Sequence, residues 1–153
     1  MKAIGVYYSK TGHTLMGLKR VQEGLESCGV EVKLVDVRKA TDRDLAGMNI
    51  VIIGSPVHGG NAAKSVRKFL EGLSKGSMSN KICSIISSAY TGNTDRLMEY
   101  MSKRLDALGA EKIVSGVGYK AGVILSLFKG REMSEEAKKQ CYELGVTLTK
   151  LNG

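Results

Sequence analysis

A chain of 153 residues supplies one sizeable core and is too short for two, and 42% apolar with 25% charged residues is an ordinary balance for a water-soluble protein. There is no run of about 18 apolar residues and the N-terminus leads directly into a strand pattern, so neither a membrane span nor a signal peptide is expected, and a cytoplasmic location is. The net charge of +8 attracts anionic partners, yet the cations are dispersed among acids and aromatics make up only 5%, so no nucleic-acid platform emerges.

The first strand is expected over residues 2–8, followed by the polar loop Ser9-Lys10-Thr11-Gly12-His13-Thr14. A helix follows, with Leu15, Leu18, Val21, Leu25 and Cys28 at helical spacing, and it closes at Gly29. Residues 30–37 alternate apolar with polar, as a strand near a sheet edge does. Thr41 starts a short helical turn with Asp42 and Asp44 at its positive end, and it leads into an apolar strand over 49–53 that suits the sheet interior.

A second loop, Ser55-Pro56-Val57-His58-Gly59-Gly60-Asn61 after Gly54, holds the only proline and precedes a helix with Ala62, Val66, Phe69, Leu70 and Leu73 inward. A fourth strand over 81–87 exits through a third polar loop, Ser88-Ala89-Tyr90-Thr91-Gly92-Asn93-Thr94. The next helix buries Leu97, Met98, Met101, Leu105 and Leu108, and Gly109 closes it before a fifth strand over 111–117. Residues 118–132 read as a glycine-interrupted loop. Ser134 then caps a last helix, with Glu135 and Glu136 in its first turn and Cys141, Leu144, Leu148 and Leu151 on its core side.

Cys28, Cys83 and Cys141 are odd in number and lack pairing or metal-ligand spacing, so they are expected to be reduced thiols packed in the core. Two histidines, His13 and His58, are too few for a histidine-based metal site.

Strands alternating with helices imply a parallel sheet covered on both faces, whose loops at the carboxyl ends of the strands share one edge. The glycine- and hydroxyl-rich loops are those after strands one, three and four, which predicts one crevice for a phosphorylated ligand with a flat, partly apolar body. In the first loop, Ser9, Thr11 and Thr14 hydroxyls, a glycine and free N–H groups at a helix start are what a phosphate monoester requires. The Gly-x-x-x-x-Gly-Lys-[Ser/Thr] spacing of a P-loop is absent, and Tyr8-Ser9 and Gly54-Ser55 occupy the places where a receiver domain needs acids.

Ser-x-Thr-Gly-His-Thr after strand one, Gly-Ser-Pro-Val-His-Gly-Gly after strand three and Ser-Ala-Tyr-Thr-Gly-Asn after strand four resemble the three FMN-binding loops of short-chain flavodoxins. The resemblance implies an α/β, doubly wound, five-stranded parallel sheet of order 2-1-3-4-5 with helices on both faces, formed by 1–153 as one domain, and non-covalent FMN. It further implies that Ser9, Lys10, Thr11, Gly12, His13 and Thr14 hold the FMN phosphate. Ser55, Pro56, Val57, His58, Gly59, Gly60 and Asn61 form the second wall, where the His58–Gly59 peptide turns its carbonyl toward flavin N5 on reduction. Ser88, Ala89, Tyr90, Thr91, Gly92 and Asn93 form the third, with Tyr90 stacked on the ring.

Flavodoxins are usually acidic and often place a tryptophan against the flavin, whereas this chain is basic and has none, leaving His58 and Tyr90 to cover the ring. The function implied is electron transfer between redox partner proteins, acidic ones given the basic surface, with no catalytic acid, base or nucleophile. Alternatives on the same fold are an FMN oxidoreductase of quinone-reductase or protoporphyrinogen-oxidase type, and an electron-delivering activator of a metalloenzyme.

Overall fold

Apolar runs in β1 (Lys2–Tyr7), β3 (Ile50–His58) and β5 (Ile82–Ala89) build the interior of a parallel sheet in a computed structural model that describes residues 1–91, 93–121 and 133–151. The edge strand β2 (Glu31–Asp36) alternates in burial, in keeping with its half-polar sequence. On the far side of β5 stand β6 (Lys112–Ile113) and β7 (Val117–Lys120), so the order is β2-β1-β3-β5-β6, with β7 also paired to β5. This is the predicted 2-1-3-4-5 order, with the fifth strand in two pieces.

Each strand sends alternate side chains to opposite faces, which separates two cores. Ile4, Val6, Val51, Ile53, Cys83 and Ile85 pack on α3 (Lys64–Gly72) and α4 (Asp95–Ala107). Ala3, Ile50, Ile52, Ile82 and Ile86 pack on α1 (His13–Ser27) and α5 (Glu135–Lys150). The short α2 (Asp42–Leu45) carries the reciprocal cap foreseen at Thr41: the Thr41 amide donates to Asp44 Oδ2 at 2.8 Å. Ser134 Oγ accepts from the Ala137 amide at 3.1 Å and starts α5.

Several expectations are corrected. The stretch read as a second loop is largely strand: β3 runs on to His58 and folds back as a two-residue strand, β4 (Asn61–Ala62), paired Val57 to Ala62 and His58 to Asn61. Gly59 and Gly60, with φ of 57° and 82°, form the two-residue turn between them, a geometry open to glycine at both positions. Residues 118–120 belong to β7 rather than to a loop, while 122–132 lie outside the described residues. The break between β6 and β7 falls at Gly116, whose α-carbon sits against the Ile85 carbonyl with no room for a side chain. Cys28 ends α1 exposed, and Leu151 is exposed beyond α5, because each lies past the last helical turn that meets the sheet. Cys83 and Cys141 are buried as expected, and desolvation pushes both thiols up to about 12.

Candidate functional site

The edge formed by the carboxyl ends of β1, β3 and β5 carries a cleft of about 220 Å³. The first loop contributes Ser9, Lys10, Thr11, His13 and Thr14, the second Pro56, Val57 and His58, and the third Ser88, Ala89 and Tyr90. An adjoining hollow of about 400 Å³ is lined by Gly60, Thr91, Asn93 and Arg96, and shares Val57, Ala89 and Tyr90 with the cleft.

The first loop is organised for donation. Gly12, at φ 93°, is the N-cap of α1 and offers no capping side chain. The Leu15 amide reaches back to Ser9 Oγ at 3.3 Å, while the amides of Thr11, Gly12 and Thr14 meet no acceptor among the described residues. Such a helix start concentrates N–H groups and positive dipole on an anion. Thr14 is buried, and its Oγ1 lies 2.9 Å from Ser88 Oγ, which staples the first turn of α1 to the end of β5.

His13 is only 4% exposed, with Nδ1 2.6 Å from Thr11 Oγ1 and its ring edge-on to Tyr90 at 6.3 Å. Its carbonyl accepts a hydrogen bond from the hydroxyl of Tyr119, which is buried on β7 and held protonated by desolvation. Across the cleft His58 stands edge-on to Tyr8 at 6.0 Å, and Tyr90 is 53% exposed at the mouth, a ring available for stacking.

Four residues expected in the site do not line these hollows. Ser55 is buried behind the second loop, where its Oγ accepts from the Ala63 amide at 2.9 Å and donates to the Pro56 carbonyl at 2.8 Å. Asn61 uses Oδ1 to accept from the Ala62 amide at 2.8 Å. Gly12 and Gly59 act through backbone conformation, and Gly92 lies outside the described residues. Ala121 and Arg96 line the hollows without having been foreseen. Arg96 sits in the first turn of α4, where the helical pattern marks it only as polar, and Ala121 follows β7 in the stretch with the weakest periodicity.

The residues that reach the cleft supply donors for an anion at one end, apolar walls from Val57, Ala89 and Ala121, and an aromatic ring at the mouth. Among the described residues there is no cluster of metal-ligating side chains, and no helix is long and apolar enough to cross a membrane.

The family model described as Flavodoxin domain matches residues 5–125. A flavodoxin of Aquifex aeolicus (strain VF5) is 28% identical over 156 residues, covering 96% of this chain and 84% of that one. In structure the chain is similar to two-electron reduced flavodoxin of Megasphaera elsdenii, with a TM-score of 0.77 at 23% identity over 98% of this chain and 99% of that one. It is also similar to oxidised Flavodoxin 2 of Bacillus cereus, with a TM-score of 0.81 at 19% identity over 99% of both chains. With the family match spanning most of the sequence, the chain belongs to the flavodoxin family of FMN-binding electron-transfer proteins.

Proposed function

We propose that this protein is a freely exchanging electron carrier that holds FMN in the cleft between its first, second and third loops and passes electrons between redox partner proteins. The observation that carries the reading is the convergence on one cleft of a helix start with a glycine N-cap and three amides that meet no acceptor among the described residues, apolar walls and an exposed tyrosine ring. That donor set fits FMN. A phosphate dianion needs several N–H and O–H donors and no competing carboxylate, and among the described residues no Asp or Glu lines the cleft.

FMN supplies the redox chemistry, and the chain supplies binding, orientation and tuning. The amides of Thr11, Gly12 and Thr14, with the Ser9 and Thr11 hydroxyls and Lys10, hold the phosphate. Val57, Ala89 and Ala121 exclude water from the ring, and Tyr90 covers its outer face. The Gly59–Gly60 turn lets the peptide after His58 reorient at little cost, since glycine takes either sign of φ. Of residues 118–132, which the enzymatic alternative would use to help form a substrate pocket, 118–120 belong to β7 and 122–132 lie outside the described residues.

Reconstitution with FMN followed by reductive titration tests this. Two resolved one-electron steps and rapid electron exchange with small one-electron acceptors are expected. Failure to take up FMN would sink the reading at its base, and steady two-electron turnover of a quinone or porphyrinogen would replace the carrier with an enzyme.

A further inference from the structure

On the other side of the His58 ring from the cleft lies a separate hollow of about 390 Å³, lined by Tyr8, Arg38, His58, Lys64, Ser65 and Lys68 around Ala63. It holds three permanent cations, and among the described residues no carboxylate lines it. Arg38 is fixed there from behind: Nε and Nη2 donate to Asp36 at 3.0 Å and 2.7 Å, and the guanidinium carbon stands 5.8 Å from the Tyr8 ring centre. Lys64 and Lys68 are exposed one turn apart on α3, a like-charge spacing that is unfavourable unless something anionic relieves it.

Some cations elsewhere are relieved by acids of the chain itself. Arg20 pairs with Glu23, Lys33 with Asp44, Lys103 with Glu99 and Lys138 with Glu135. Lys64 and Lys68 have no ion-pair partner among the described residues. The donors around them are also in excess: α3 has no side-chain cap, the Lys64, Ser65 and Val66 amides meet no acceptor among the described residues, and Ser65 Oγ is buried without a hydrogen bond.

The geometry points to this hollow as the docking point for an acidic segment of the redox partner protein, whose Asp or Glu carboxylates seat between Arg38 and the Lys64–Lys68 pair. The inference rests on the electron-carrier reading and adds where the partner binds. A protein face suits the site better than a lone phosphate because the acid-free rim continues past it. Lys10 lines the cleft and Arg96 the hollow beyond, so among the described residues three neighbouring hollows present five cations and no carboxylate. One small anion engages a single hollow, whereas an acidic surface engages all three. His58 lines both this hollow and the cleft, so a partner seated here abuts the wall of the cofactor site.

The test uses FMN-loaded, 15N-labelled protein titrated with a synthetic decaglutamate peptide and followed by amide chemical shifts. Shifts should concentrate at residues 36–39 and 58–68. With FMN still bound at the concentrations used, the double variant Lys64→Glu/Lys68→Glu should weaken the peptide about tenfold, while Lys19→Glu/Lys112→Glu, with the same change in net charge, should weaken it less than about twofold. Equal loss from both double variants would overturn the proposal, since net charge alone would then account for binding. Inorganic phosphate displacing the peptide from these amides at lower concentration would also overturn it, in favour of a phosphorylated small ligand. Failure of the wild-type protein to bind FMN would refute the carrier reading instead, and the shift map would still report on the hollow.

Discussion

Tyr119 shows how a single side chain far along the sequence reaches the cofactor loop. Its hydroxyl donates to the carbonyl of His13, the first residue of α1, and its ring fills the space over Gly17, where a Cβ would stand 2.5 Å from that hydroxyl. The last strand therefore holds in place the helix turn whose amides face the phosphate end of the cleft. Tyr119→Phe keeps the ring and removes the bond. It should cost about 1 kcal/mol of stability, the ordinary net value of one hydrogen bond. If the bond positions the loop, FMN affinity should fall about fivefold while riboflavin, which lacks the phosphate, binds as before. Fluorescence titration with both ligands measures this. An equal loss for the two ligands would reduce Tyr119 to a packing residue.

Among the elements, the contact of α1 with α5 leaves least room for change. Gly24 and Gly145 face each other across it: a Cβ on Gly145 would lie 2.8 Å from the Leu25 amide nitrogen and 3.0 Å from the Gly24 α-carbon, and one on Gly24 would collide with the Tyr142 carbonyl. In an open helix, glycine to alanine gains up to about 1 kcal/mol. Here the obstacle is backbone, which cannot rotate away, so Gly145→Ala should instead destabilise by about 2 kcal/mol as the helices are forced apart. The urea midpoint of the apoprotein measures the sign, and a stabilised variant would show that the helices separate freely. The sequence indicates both helices by their 3.6-residue periodicity but not this approach, because a glycine inside a helix pattern looks the same whether it faces solvent or another backbone. The hairpin at Gly59–Gly60 was hidden for a similar reason: Pro56 and paired glycines signal a loop, while the strand continues because Pro56 lies beyond Gly54, the last residue of β3 paired with β1, and pairs only with β5. That the first loop enters the cleft was legible because its hydroxyls, glycine and helix start fall within six consecutive residues. Arg96 and Ala121 were not, since only the strand order brings them to the same edge.

At the scale of the whole molecule the charge acts on the cofactor as well as on partners. A unit charge about 10 Å away contributes about 0.4 kcal/mol through water, equivalent to about 20 mV for one electron, and salt near 0.1 M screens beyond about 10 Å. Lys10 lines the cleft, while Arg38, Lys64, Lys68 and Arg96 line the two hollows that share residues with it, and Asp36 offsets only Arg38. Their fields add in favour of negative charge on the cofactor, so they ease uptake of the second electron, which leaves the fully reduced flavin anionic. Raising the ionic strength from low to high should therefore move the second potential to more negative values by some tens of millivolts. Lys64→Glu/Lys68→Glu should lower that potential at low salt and flatten its salt dependence, since part of the field being screened is gone. An acidic protein would respond in the opposite direction. A second potential that rises with salt would mean that carboxylates outside the described hollows dominate the field at the flavin, and the basic rim would then act on partner association alone.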